Sequence, residues 1–324
     1  AWLWAARHGE IAAIEPPDPA GFEAALVARG EMLAGIGNCA SCHTTQGGAD
    51  YAGGYSTETP FGVIYSTNIT PDPEQGIGRW SLEAFARAMR QGVDREGGYL
   101  YPVFPYDHFT LVADEDIAAL YAFLMTREPA EGVAAENALA FPYNARILIA
   151  GWQLLNHEDR RFAPDPERSE AWNRGAYLVE GLGHCGACHT PRNGLGGLDG
   201  AAKFAGAPLA AGWWAPALDE GNPDPLPWTP DAMVNYLLDG WDRDHGIAAG
   251  PMTSVVDNLN AQLSESDAYA MAEYLLSHMP QASQGADREA IRAAAEARSL
   301  PGALLSPEEV ARAAADPLLA QGQE

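Results

Sequence analysis

Apolar residues recur at helical spacing in two places whose flanking signals are alike. Leu82, Phe85, Ala86 and Met89 follow Trp80-Ser81, and Met233, Tyr236 and Leu237 follow Trp228-Thr229. Ser81 and Thr229 are helix-capping residue types, whose side-chain oxygen satisfies a free amide of the first turn. Gly92 and Gly240 stand where such helices commonly stop. A second pair of helices is predicted farther along. Asp114-Glu115-Asp116 opens a stretch with Leu120, Phe123 and Leu124, and Ser264-Glu265-Ser266-Asp267 opens one with Met271, Tyr274 and Leu275. Between the two sets, residues 143–155 are apolar enough for a helix packed between domains. After Pro280 the chain turns Ala-rich with interleaved Arg and Glu, which predicts two short helices and a frayed end.

The same order of signals appears twice. Arg29-Gly30-Glu31-Met32-Leu33 precedes Cys39-Ala40-Ser41-Cys42-His43, and Arg174-Gly175-Ala176-Tyr177-Leu178 precedes Cys185-Gly186-Ala187-Cys188-His189. Thr44 and Thr190 follow the two histidines. Cys39 lies 77 positions before Asp116, and Cys185 lies 82 before Asp267. A repeat of this kind predicts two mainly α units of one fold. The expected organisation is an N-terminal segment (1–21), a first unit (22–128), a linker (129–170), a second unit (171–280) and a helical docking tail (281–324).

The two pentapeptides use every cysteine in the chain. Cysteines three apart stack on one helical turn, so both sulfurs can form thioethers to the vinyl groups of one porphyrin. The histidine that follows then lies under the iron. Disulfides or a zinc ribbon are the alternatives, and neither explains the trailing His43 and His189. The reading is two covalent haem c groups, attached through Cys39, Cys42, Cys185 and Cys188.

At 324 residues there is room for two cores, and 44 acidic against 19 basic residues leave a formal charge of −25. That argues against nucleic acid as a natural partner, and likewise against docking on an anionic lipid surface. No run of about eighteen apolar residues is present to span a bilayer. Trp2-Leu3-Trp4-Ala5-Ala6 reads either as the end of an upstream membrane anchor or as a short packed helix. Because haem c is attached on the outer face of the bacterial inner membrane, the expected location is the periplasm.

With these residues in hand, 22–280 resembles the multihaem cytochrome c subunits of bacterial periplasmic dehydrogenase complexes. Those complexes are the alcohol and gluconate dehydrogenases and the molybdenum hydroxylases acting on aldehydes and N-heterocycles. The resemblance rests on residues 59–72 (TPFGVIYSTNITPD) and 76–81 (GIGRWS), on 183–193 (GHCGACHTPRN), and on Gly250-Pro251-Met252. It implies two tandem cytochrome c-like helical domains, with Asn68, Trp80 and Arg192 against the haems. A third haem domain, common in relatives, would begin where 281–324 stand. Many relatives also carry an iron-binding Met in a Tyr-Pro-Ala-Met-Pro-Tyr loop. Here that loop reads Tyr101-Pro102-Val103-Phe104-Pro105-Tyr106, and with Asp107-His108-Phe109 it looks closer to the molybdenum hydroxylase subunits.

Met252 is the expected distal ligand of the second iron, on an irregular segment between two helices. For the first iron His108 stands first and Met89 second, with Met125 and an open or water-bound position also in view. No nucleophile with its base, phosphate loop or dinucleotide fingerprint is present. The function expected is electron transfer, without catalysis by the chain itself. Electrons would come from a catalytic dehydrogenase, with molybdopterin and iron–sulfur subunits as the favoured partners. They would leave to a quinone, an oxidase or another cytochrome of the respiratory chain. The alternative is a peroxidase-like dihaem enzyme with an open first haem.

Overall fold

The computed structural model describes residues 8–132, 135–224 and 226–279, with 289–291 and 293. The suggested anchor end at 2–6 and nearly all of the docking tail lie outside the described residues. In chain order the first half folds as α1 (Ala24–Ile36), the one-turn α2 (Cys39–His43), α3 (Leu82–Gln91), the one-turn α4 (Tyr106–Phe109) and α5 (Asp114–Met125). Helix α6 (Ile149–Asn156) follows in the linker. The second half gives α7 (Glu170–Glu180), the one-turn α8 (Gly186–His189), α9 (Pro230–Asp239), α10 (Pro251–Gln262) and α11 (Glu265–Leu276). Strands are short. Ser56–Thr59 pairs antiparallel with Gly62–Tyr65, which pairs in turn with Ala138–Leu139.

Each half is built on one helix crossing, and small residues decide how close it is. A β-carbon on Gly30 of α1 would lie 2.0 Å from the carbonyl oxygen of Ala119 in α5. One on Gly175 of α7 would lie 1.9 Å from that of Ala270 in α11. Only glycine permits backbones this near. The arginine before each glycine then reaches the acid in the first turn of the partner helix. Arg29 Nε donates to Asp116 Oδ1 at 2.6 Å, and Arg174 Nε donates to Asp267 Oδ1 at 2.8 Å.

The expected caps form. Ser81, Thr229 and Ser264 accept the amides of Ala84, Ala232 and Asp267, and Gly92 and Gly240 end their helices in the left-handed region. Two sequence expectations need correction. Met252 stands in the first turn of the twelve-residue α10, not on an irregular loop. Pro251 fits the first turn, Val256 is buried, and Val255 and Leu259 pack on the core. The linker helix is also shorter than residues 143–155, and it leaves Leu154 and Leu155 each 73% exposed.

The halves pack on each other through one continuous apolar cluster, running from Leu33 and Phe123 to Leu178 and Met271. Among the described residues, those from 8 to 223 and from 228 to 279 make one compact unit. Within it, Tyr177 of α7 donates its hydroxyl to Asp116 Oδ2 at 2.6 Å and accepts the Ala113 amide at 3.1 Å. Asp116 is buried and so serves both its own crossing and its neighbour's. Among the described residues no helix is long and apolar enough to cross a membrane.

Candidate haem sites

Both Cys-x-x-Cys-His motifs fold as a single helical turn entered through a strained residue. Asn38 has φ 50° and His184 has φ 36°, and both residue types tolerate the left-handed region better than most. The turn after each motif is clamped in the same way. Thr44 Oγ1 accepts the Tyr51 amide and Thr190 Oγ1 accepts the Phe204 amide. The carbonyls of His43 and His189 accept the amides of Gly53 and Gly206, at 2.7 and 2.8 Å. Tyr51 and Phe204, with φ 62° and 63°, turn these loops alike.

The two histidines are oriented alike as well. His43 donates its Nδ1 proton to the Thr67 carbonyl at 2.7 Å, and His189 donates its own to the Pro216 carbonyl at 2.8 Å. Fixing Nδ1 as the protonated nitrogen leaves Nε2 as a lone-pair donor, which is how proteins present an imidazole to a metal. No disulfide joins any two of the four cysteines. Burial pushes Cys39 and Cys185 each up to about 12 and raises Cys42, with the charge of Cys188 adding to the last. Reactive redox pairs show the opposite shift. Among the described residues no three His, Cys, Asp or Glu side chains gather to hold a metal ion, as a zinc ribbon would need. Paired sulfurs on one turn beside a pinned imidazole fit a covalently held haem.

The other expected site residues fall in several places. His108 of α4 is 5% exposed and donates Nδ1–H to the Glu180 carbonyl of α7 at 2.8 Å, while its buried Nε2 has no partner. Its ring lies beside Gly186 of the second motif, where a β-carbon would meet Cε1 at 3.1 Å. Met89 is buried in the core, and Met252 is half-buried against it. Asn68 is buried and holds its loop closed, accepting the Thr70 amide and donating Nδ2–H to the Ala130 carbonyl at 2.6 Å. The Trp80 carbonyl accepts the Tyr121 hydroxyl, and Arg192 donates to the carbonyls of Gly196 and Ala187. His245 has a fully buried side chain stacked on Trp228 at 3.8 Å.

Sequence reasoning missed how the motifs meet. His184 Nε2 donates to the Gly37 carbonyl at 3.3 Å, and its ring lies edge-on to Phe109 at 5.6 Å. Nothing local to either motif signals a partner 147 residues away.

Residues 27–128 match the family model for cytochrome c. The chain is 40% identical over 257 residues to a dihaem cytochrome c-type protein of Cereibacter sphaeroides, and spans 84% of that protein. The chain belongs to the multihaem cytochrome c family. As a cytochrome c it holds haem covalently. Other relatives are a nicotinate dehydrogenase subunit of Pseudomonas putida, 50% identical over 83% of this chain, and the fructose dehydrogenase cytochrome subunit of Gluconobacter japonicus, 37% identical over 83%. The chain spans only 23% and 56% of the length of those two.

One consequence for this cytochrome concerns acid. Burial holds the His184 imidazole at about 4, against an ordinary value of 6.5. Between those values the unfolded chain binds the extra proton. The contribution to stability is therefore full above 6.5 and lost as pH falls towards 4. Denaturant midpoints at pH 7 and pH 4.5 should fall further for the native protein than for His184→Gln. Equal falls would contradict the assignment.

Proposed function

We propose that this chain is a dihaem electron-transfer subunit, with one haem on Cys39, Cys42 and His43 and the other on Cys185, Cys188 and His189. Each haem supplies a one-electron couple between ferric and ferrous iron. The protein fixes the axial ligands and the surroundings that tune the potential. The observation that carries the reading is the duplicated site: two motifs with the same clamp, the same entry strain and the same pinned histidine.

His108 is the distal ligand we assign to the first iron, ahead of Met89. It repeats the arrangement of His43 and His189, with Nδ1–H on a carbonyl and Nε2 uncommitted. A buried nitrogen without a partner costs about 1–3 kcal/mol, which iron coordination would relieve. His189 and Met252 would hold the second iron, and His108 is assigned to the first because it lies on the loop that carries the iron-binding Met in relatives, although its ring packs beside Gly186 of the second motif. A first iron ligated on both sides also weighs against the peroxidase-like alternative, which needs an open position.

Electrons are taken to enter from a catalytic dehydrogenase and leave towards the respiratory chain through a quinone, oxidase or second cytochrome. The partner we infer is of the molybdenum hydroxylase type, with iron–sulfur and molybdopterin subunits, and the name of the Pseudomonas putida relative, a nicotinate dehydrogenase subunit, supports a dehydrogenase acting on an N-heterocycle. The setting we infer is the periplasmic face of the inner membrane. The test is to isolate the chain with whatever co-purifies and add substrates of that class. Substrate-dependent reduction of both haems is expected, with no substrate oxidation by the chain alone. Peroxide turnover by the isolated chain at about ten per second or more would favour the enzyme alternative.

A further inference from the structure

The two motifs are joined to each other directly as well as through the core. His184 precedes Cys185, and Gly37 is separated from Cys39 only by Asn38. The hydrogen bond from His184 Nε2 to the Gly37 carbonyl, at 3.3 Å, therefore ties the main chain at one thioether pair to the main chain at the other. The site leaves little slack. A β-carbon on Gly37 would meet Cys39 Sγ at 3.3 Å and the Leu182 side chain at 3.5 Å. Phe109 and His108 pack edge-on with the His184 ring, at centroid distances of 5.6 and 6.4 Å. A second bridge, from Asn258 Nδ2 to Asn38 Oδ1 at 2.6 Å, joins α10, the helix that carries Met252, to the first motif.

We propose that His184 is the contact through which the two haem sites exchange electrons. This inference rests on the dihaem reading above. With haem on both motifs, one electron would pass from a ferrous centre to a ferric one. No bond is made or broken, and the imidazole keeps its proton. The route runs from the Cys185 main chain through the His184 ring, across the hydrogen bond to Gly37, and along Asn38 to Cys39. His184 is a positioning residue in this scheme, since it binds neither iron.

The test is flash reduction of the holoprotein, following equilibration of the electron between the haems, alongside redox titration and spectra of both haems. His184→Phe keeps a ring and removes the donor, whereas His184→Gln keeps an N–H of similar reach. Asn258→Ala breaks the second bridge as a control. Equilibration several-fold slower in His184→Phe is expected, with potentials and spectra unchanged, recovery in His184→Gln and no effect in Asn258→Ala. An unchanged rate in His184→Phe, or a slowing that follows shifted potentials or matches Asn258→Ala, would overturn the proposal. If His184→Phe fails to fold, His184→Gln against His184→Leu decides by the same criterion. A native protein with a single redox centre would instead sink the dihaem reading itself.

Discussion

Gly175→Ala should destabilise the protein by about 3 kcal/mol or more, and Gly30→Ala by a similar amount. Alanine is the better helix former by about 1 kcal/mol, so helix propensity alone gives the opposite sign. The close crossing decides the matter. The new methyl would sit 1.9 Å from the Ala270 carbonyl oxygen in one case and 2.0 Å from that of Ala119 in the other. Both neighbours are backbone atoms in buried helices, so relief requires the helices to part, and the apolar contacts around the crossing weaken with them. Separation would also lengthen Arg174–Asp267 or Arg29–Asp116. Denaturant midpoints measure the effect, with Gly194→Ala as the control, since nothing lies within 4 Å of a β-carbon there. Two substitutions as mild as the control would mean that the crossings are looser than described.

His108→Ala should turn the first haem high-spin while the second keeps its sulfur-ligated spectrum. Met252→Ala should do the reverse, removing the sulfur band and leaving the first haem low-spin. The potentials should differ in the same sense. A thioether opposite an imidazole raises the reduction potential, so the second haem should be the higher of the two. His108→Met should then bring the first haem upward towards it. Sulfur ligation at both haems in the native protein would remove His108 and put Met89 in its place. An unaltered spectrum in Met252→Ala would undo the second assignment.

Much of the architecture was legible because its signals are local. Ser81, Thr229 and Ser264 cap where their sequence neighbours say they should, and each haem motif contains its own histidine. The twofold order of these signals revealed the duplication. Helix α10 was obscured because glycine and proline at 250 and 251 read as a loop, although proline suits a first helical turn. The contacts that join the halves have no local signature. Asp116 looks like one of several acidic residues at a helix start, yet it binds Arg29 87 residues away and Tyr177 61 residues away. His108 could be picked out as a candidate from its loop. Its anchor on the Glu180 carbonyl, 72 residues on, could not.

The central claim is that both motifs carry haem, and intact mass of the denatured holoprotein tests it most directly. The expected mass is that of the polypeptide plus two haem groups. One haem should be lost when Cys39 and Cys42 are both replaced by alanine, and the other when Cys185 and Cys188 are. A native mass with a single haem, or colour lost on denaturation, would contradict the account.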